Sequence, residues 1–248
     1  MRRFTIAPER ITRGHVAFDV DESRHLSRVL RLRPGDTVIA TDGAGHDYTV
    51  RLDTVGAQAT GSVLRVATHD AESPLAVTLV QVVPKGDRME TIVRAATELG
   101  VARVLPALAA RTVVRLDAAG WRDRTRRWQR VAREATKQCR RGVVPDVEEP
   151  RPLAERLPLA AAADLALCVW EGDGPPLERA LHSVSSPRTA LLLIGPEGGL
   201  ADDEVAAARA HGWTTVSLGP RILRTETAGP AMLAVLQSRF GDVGGART

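Results

Sequence analysis

Several residue types and motifs are scarce or missing in this 248-residue chain, and each gap excludes something. Only two cysteines occur, Cys139 and Cys168, so at most one bridge could form and a disulfide scaffold is excluded. Both are expected to be reduced, small and buried, in a cytoplasmic setting. Aromatic residues make up 3% of the chain, too few for a surface that stacks successive bases on rings. No run of 18 apolar residues exists, so no membrane span is expected. The opening Met1-Arg2-Arg3-Phe4-Thr5-Ile6 is basic but lacks the apolar core of a signal peptide. The six histidines are scattered, and no Cys or His spacing suits a metal. There is no Walker-type phosphate loop and no Gly-x-Ser-x-Gly elbow. Gly43-Ala44-Gly45 lies between strand-like segments rather than opening a helix, so it is not a dinucleotide fingerprint.

What is present is an ordinary soluble composition, 44% hydrophobic and 26% charged, with a net charge of +4 carried mostly by arginine. Arginine makes forked contacts to phosphate, which suits a nucleic-acid partner. The charge is uneven. Residues 121–141 hold eight Arg and one Lys against Asp123 and Glu134, a local +7 that leaves the remainder at −3. At 100° per residue, Trp121, Trp128, Val131, Ala132, Ala135 and Cys139 share one face of a helix over 121–141. Arg126, Arg130, Arg133, Lys137 and Arg141 share the opposite face. That face is either a solvated helix surface or a phosphate-binding one.

Two organisations follow one another along the chain. Up to residue 72, short alternating segments at 15–18, 37–40, 48–52 and 61–66 are separated by turns such as Arg33-Pro34-Gly35-Asp36. This predicts a small β-barrel or sandwich, interrupted by a short helix over 23–30 on which Arg24, Arg28 and Arg31 share a face. His69-Asp70-Ala71-Glu72-Ser73-Pro74 marks the boundary. From residue 73 on, apolar strands at 77–83, 101–108, 166–170, 190–194 and 214–218 alternate with helices, which predicts an α/β domain with a mostly parallel sheet. Met89, Ile92, Val93, Ala96 and Leu99 form the buried stripe of the first of these helices, which Gly100 ends.

Two motifs stand where buried strands run into loops, the position at which open α/β sheets bind ligands. Gly195-Pro196-Glu197-Gly198-Gly199 follows the strand ending at Ile194. Leu218-Gly219-Pro220-Arg221-Ile222-Leu223-Arg224-Thr225-Glu226-Thr227-Ala228 follows Thr214–Ser217. Glycines there let the backbone approach a ligand closely, and Arg224 with Glu226 adds charge on the same turn. Lys85-Gly86-Asp87-Arg88, at a third strand end, is either a helix start or a pocket rim.

Taken in order, Lys85–Glu90, Ala96–Val101, Arg127-Trp128, Arg133-Glu134-Ala135 and the two late motifs resemble the RsmE-type 16S ribosomal RNA uridine-N3 methyltransferases of the SPOUT superfamily. His25-Leu26-Ser27-Arg28-Val29-Leu30-Arg31-Leu32-Arg33-Pro34-Gly35-Asp36 resembles that family's first domain, so the likeness spans nearly the whole chain. It implies a PUA-like RNA-binding β-barrel over 1–72 and a SPOUT domain with a C-terminal trefoil knot over 73–248. It also implies a homodimer, no metal, S-adenosylmethionine as cofactor, and 16S ribosomal RNA in the small (30S) subunit as partner. The implied cofactor residues are Trp170, Ile194, Gly195, Pro196, Glu197, Gly198, Gly199, Leu218, Gly219, Ile222, Leu223 and Thr225. Uracil N3 must lose a proton to become nucleophilic, and charge then builds on O2 and O4. Glu226 is the candidate base or proton relay and Arg224 the candidate donor, unless the two only pair with each other. Lys85, Arg88, Arg126, Arg130, Arg133 and Lys137, with Arg24, Arg28 and Arg31, are the candidate RNA contacts. Pro230 is expected within the tolerant opening turn of a helix over 225–239. Two other readings remain: a non-catalytic RNA-binding assembly factor, and a SPOUT enzyme acting on ribose 2′-OH or on transfer RNA.

Overall fold

The structure, a computed structural model, describes residues 2–68, 72–172 and 174–245. His69, Asp70 and Ala71 of the expected boundary lie outside the described residues. The chain divides into two units: the residues up to Glu72 together with Thr136–Val144, and Ser73–Ala135 together with the residues from Pro145 onward.

In the first unit the strands are β1 (Arg3–Thr5), β2 (Ile11–Thr12), β3 (His15–Ala17), β4 (Thr37–Thr41), β5 (His46–Thr54) and β6 (Thr60–Thr68). They form one sheet in the order β1-β4-β5-β6-β3-β2, antiparallel except for the β1–β4 pair. Alternation along β5 explains its orientation: Val50 and Leu52 are buried while Arg51 and Asp53 face water. With Phe4, Phe18, Leu26 and Val38 they build one apolar core, Phe4 meeting Phe18 edge-on at 5.9 Å. The helix expected over 23–30 is shorter and bent. Helix α1 (Val20–Arg24), capped by the Asp19 carboxylate on the Glu22 N–H, passes into a π-helical turn over His25–Val29. That wider turn, and a backbone φ of +51° at Arg31, take Arg31 off the face it was expected to share with Arg24 and Arg28.

The second unit is a parallel α/β layer structure. Its strands are β7 (Ala76–Val82), β8 (Val101–Leu108), β9 (Asp146–Val147), β10 (Arg151–Pro152), β11 (Leu165–Val169), β12 (Thr189–Ile194) and β13 (Thr214–Val216). Its helices are α2 (Arg88–Glu98), α3 (Ala118–Cys139), α4 (Leu153–Arg156), α5 (Leu177–Leu181), α6 (Asp202–Ala210) and α7 (Thr225–Phe240), the last turn of α3 belonging to the first unit. The sheet runs β10-β8-β7-β12-β11-β13 with β9 beside β8, and every pairing is parallel. Such a sheet is covered on both faces, which is why β7 and β12 read as nearly continuous apolar runs. Asp164 locks the start of β11 to β12 by accepting the N–H groups of Arg188 (2.8 Å) and Thr189 (2.9 Å).

Two expectations are corrected here. Helix α3 stops at Cys139, and Arg140 takes a φ of +65°. Arg141 therefore leaves the basic face, is buried, and pairs with Glu72 at 2.6 Å. Pro230 lies at the sixth position of α7, not in its opening turn. The helix continues through it, losing only the bond a backbone N–H there would have donated to the Glu226 carbonyl. No helix among the described residues is long and apolar enough to cross a membrane.

Candidate active site

Strand register gathers the site. Val169, the last residue of β11, lies opposite Ile194 of β12 on one side and Val216 of β13 on the other. Three loops therefore leave the sheet at one level, opening at Trp170, Gly195 and Ser217. They enclose a cavity of about 330 Å3, within the range of small-molecule sites. Val169, Trp170 and Glu171 form one wall; Ile194, Gly195, Gly199 and Leu200 another. Residues Ser217–Leu223 close it, and Thr225 and Ala228 of α7 form the floor.

The glycines are needed for closeness. Gly199 has a φ of +69°, and a β-carbon there would lie 2.4 Å from a Glu171 carboxylate oxygen. A β-carbon on Gly195 would sit 3.2 Å from the Leu200 nitrogen. Thr225 ties the late motif to the earlier one: its hydroxyl donates to the Gly195 carbonyl at 2.7 Å and accepts from the buried Gln81 amide at 2.9 Å. The Thr225 hydroxyl proton is thus spent on the loop itself.

A second hollow of about 400 Å3 adjoins the first, and Glu171, Ile222, Leu223 and Thr225 border both. Its other walls are Lys85, Arg88, Glu197, Arg224 and Glu226. The Arg88 guanidinium sits between two carboxylates, 2.7 Å from Glu197 and 3.5 Å from Glu226. Glu197 also accepts the Lys85 N–H at 2.9 Å. Glu226 pairs with Arg88 and not with Arg224, and its second carboxylate oxygen is buried with no donor among the described residues. Arg224 is exposed, leaving its guanidinium available to a ligand.

The expected cofactor residues Trp170, Ile194, Gly195, Gly199, Leu218, Gly219, Ile222, Leu223 and Thr225 all line the first cavity. Glu197 faces the second. Pro196 and Gly198 line neither; the Gly198 carbonyl instead accepts from Arg111 at 2.6 Å, which pins the loop. Sequence reasoning missed Val169, Glu171, Leu200 and Ser217, all at strand ends or beside the first motif, and Ala228 at the end of the second. Cys168 lies beneath the site, fully buried, and burial pushes its thiol up to about 12 despite nearby Arg209, so it stays protonated and unreactive.

The candidate RNA contacts fall into distinct settings. Arg126, Arg130 and Arg133 are exposed along α3, opposite the buried Trp128, Ala132 and Ala135; Arg126 also pairs with Asp123. Arg24 and Arg28 border a hollow of about 400 Å3 with Val20, Ser27, Gly56 and Ala57. Lys85 and Arg88 belong to the second cavity of the site. Lys137 is half-buried, its ammonium on the buried Glu22 carboxylate.

A parallel sheet whose neighbouring strand ends deliver glycine-bearing loops to one cavity, with carboxylates and arginines lining the hollow beside it, matches the SPOUT class of RNA methyltransferases. The family model described as the RNA methyltransferase domain matches residues 71–237, and that of the RNA methyltransferase PUA domain matches 18–56. The chain is 35% identical to ribosomal RNA small subunit methyltransferase E of Synechocystis over 95% of its length and 77% of the relative's. It superposes on that enzyme from Neisseria gonorrhoeae, solved bound to S-adenosylmethionine, with a TM-score of 0.85 at 33% identity over 98% of this chain and 99% of that one. A methyltransferase of Legionella pneumophila, also solved with S-adenosylmethionine, gives 0.88 at 30% identity over 97% and 98%. The chain belongs to the ribosomal RNA small subunit methyltransferase E family.

Proposed function

We propose that this protein transfers the methyl group of S-adenosylmethionine to N3 of a uridine in 16S ribosomal RNA of the small subunit. The observation that carries this reading is the pair of adjoining cavities with a shared wall, one built of close glycine loops and the other of charged groups. The first is apolar along Val169, Ile194, Leu200 and Leu218, with room for the donor only because Gly195 and Gly199 lack side chains. When bound, the donor supplies an electrophilic methyl on a sulfonium.

The chain's own residues then have three tasks. Holding the two reactants in line supplies most of the rate, up to ~7–11 kcal/mol in well-oriented cases. Glu226, which lines the second cavity, is the base or proton relay for N3, and Arg88 fixes its carboxylate from one oxygen. Arg224, exposed on the rim, donates to the uracil oxygens or to an adjacent phosphate. Glu197 shapes the loop through Lys85 and Arg88 rather than entering the chemistry. Arg126, Arg130 and Arg133 hold phosphates, and the target base leaves its stack to enter the second cavity. Residues 1–72, with Thr136–Val144 packed into the same unit, form the PUA-like RNA-binding domain and the remainder the methyltransferase domain, closed by the family's trefoil knot. The enzyme acts in the cytoplasm as a homodimer, without metal. Ile222, 82% exposed on the wall between the cavities, is a large apolar side chain that a second subunit would cover.

The test is incubation of purified small subunits with radiolabelled S-adenosylmethionine, followed by mapping of the modified nucleotide. Label on uridine N3 supports the reading. Label on a ribose 2′-OH or on transfer RNA moves the chain to another SPOUT activity, and RNA binding without methyl transfer or cofactor binding makes it an assembly factor.

A further inference from the structure

Glu171 stands apart from the other carboxylates of the site. Glu197 and Glu226 share Arg88, whereas Glu171 has no hydrogen-bond or ion-pair partner among the described residues. It follows β11 directly and borders both cavities, at the boundary a methyl group must cross. Gly199 lies close to it: a β-carbon there would meet the exposed Glu171 carboxylate oxygen at 2.4 Å, so the glycine leaves this side chain room at the cavity rim. A solvent-exposed carboxylate with no cation paired to it thus stands where the cofactor cavity meets the charged one. The cations lining the two cavities, Lys85, Arg88, Arg221 and Arg224, stand on other segments, and none is paired with it.

Building on the cofactor reading above, we infer that the Glu171 carboxylate is the counter-charge for the donor's sulfonium and makes the pocket prefer the charged donor over its neutral thioether product. S-Adenosylmethionine and S-adenosylhomocysteine share adenine, ribose and amino-acid groups and differ by one methyl and one positive charge. A carboxylate aimed at the sulfur separates them; one aimed at the ribose or the ammonium group does not. Loss of the charge on methyl transfer would then weaken the product's hold and favour its release.

The test is calorimetric titration of the full-length protein and of Glu171→Gln with each compound, with thermal melting as the check on folding. A unit charge at a partly wet site is worth roughly tenfold in affinity. Glu171→Gln should therefore weaken S-adenosylmethionine about tenfold and leave S-adenosylhomocysteine within about twofold. Equal weakening of both compounds, or no change in either, overturns the assignment. Wild-type protein that binds neither compound removes the cofactor reading and this inference with it.

Discussion

Replacing Thr225 by Val tests how the two motifs are joined. Valine keeps the shape and β-branching of threonine and removes only the hydroxyl, which is 2.7 Å from the Gly195 carbonyl and 2.9 Å from the Gln81 amide nitrogen. Gln81 is fully buried and its side-chain oxygen already lacks a partner, so the substitution leaves one of its N–H groups stranded as well. A buried group left without its bond costs about 1–3 kcal/mol, and the Gly195 carbonyl, at the cavity edge, regains part of its loss from water. The expected destabilisation is about 2–3 kcal/mol, a fall in Tm of roughly 4–10 °C for a cooperative unit of this size. Urea and thermal unfolding measure it. Gln81→Met in the same background removes the stranded donor and the orphaned acceptor together. The double variant should therefore be about 1–2 kcal/mol more stable than the sum of the single effects. A Thr225→Val protein within about 0.5 kcal/mol of wild type, or strict additivity in the double variant, would show that the hydroxyl does not join the loops.

Three further outcomes are expected. Glu226→Gln should slow single-turnover methylation by about 10²–10⁴ while cofactor affinity stays within about twofold; unchanged turnover removes Glu226 from proton transfer. Reversing Arg126, Arg130 and Arg133 to Glu should weaken RNA binding and flatten the slope of log affinity against log salt by about 2–3, and an unaltered filter-binding salt series would exclude phosphate contacts there. The Asp164 carboxylate is held below its ordinary value by the N–H groups of Arg188 and Thr189 and the Thr189 hydroxyl. A lowered folded value means that its stabilisation is fully present above the unfolded value, near 3.8, and is lost as pH falls through the folded one. The stability difference between wild type and Asp164→Asn should therefore be constant above about pH 5 and close in more acidic buffer; a difference that persists in strong acid contradicts the clamp.

Much of the fold was legible because side-chain period records which face of an element is buried. The apolar run at 77–83 emerges as β7 over Ala76–Val82, and the stripe from Met89 to Ala96 is the buried face of α2. Short elements were not legible. Two- and three-residue strands such as β1, β2, β9 and β10 have no period to detect, and tertiary pairing alone makes them strands. The π-helical turn over His25–Val29 and the left-handed residues Arg31 and Arg140 are local backbone events, yet they move Arg31 and Arg141 off the faces a regular helix would give them.

The same division runs through the site. The sequence by itself determined that glycine-bearing loops follow strands ending near residues 194 and 217, that an arginine-rich helix precedes them, and that Arg224 and Glu226 lie on one turn. Those are local properties, written in spacing and residue type. Tertiary structure alone decided that β11 lies between β12 and β13, so that Glu171 enters the cavity, and that Glu226 is held by Arg88 instead of Arg224. The physical reason is distance along the chain. Strand order and ion pairing join residues far apart in sequence, and no periodicity within either segment specifies which partner the packed sheet will supply.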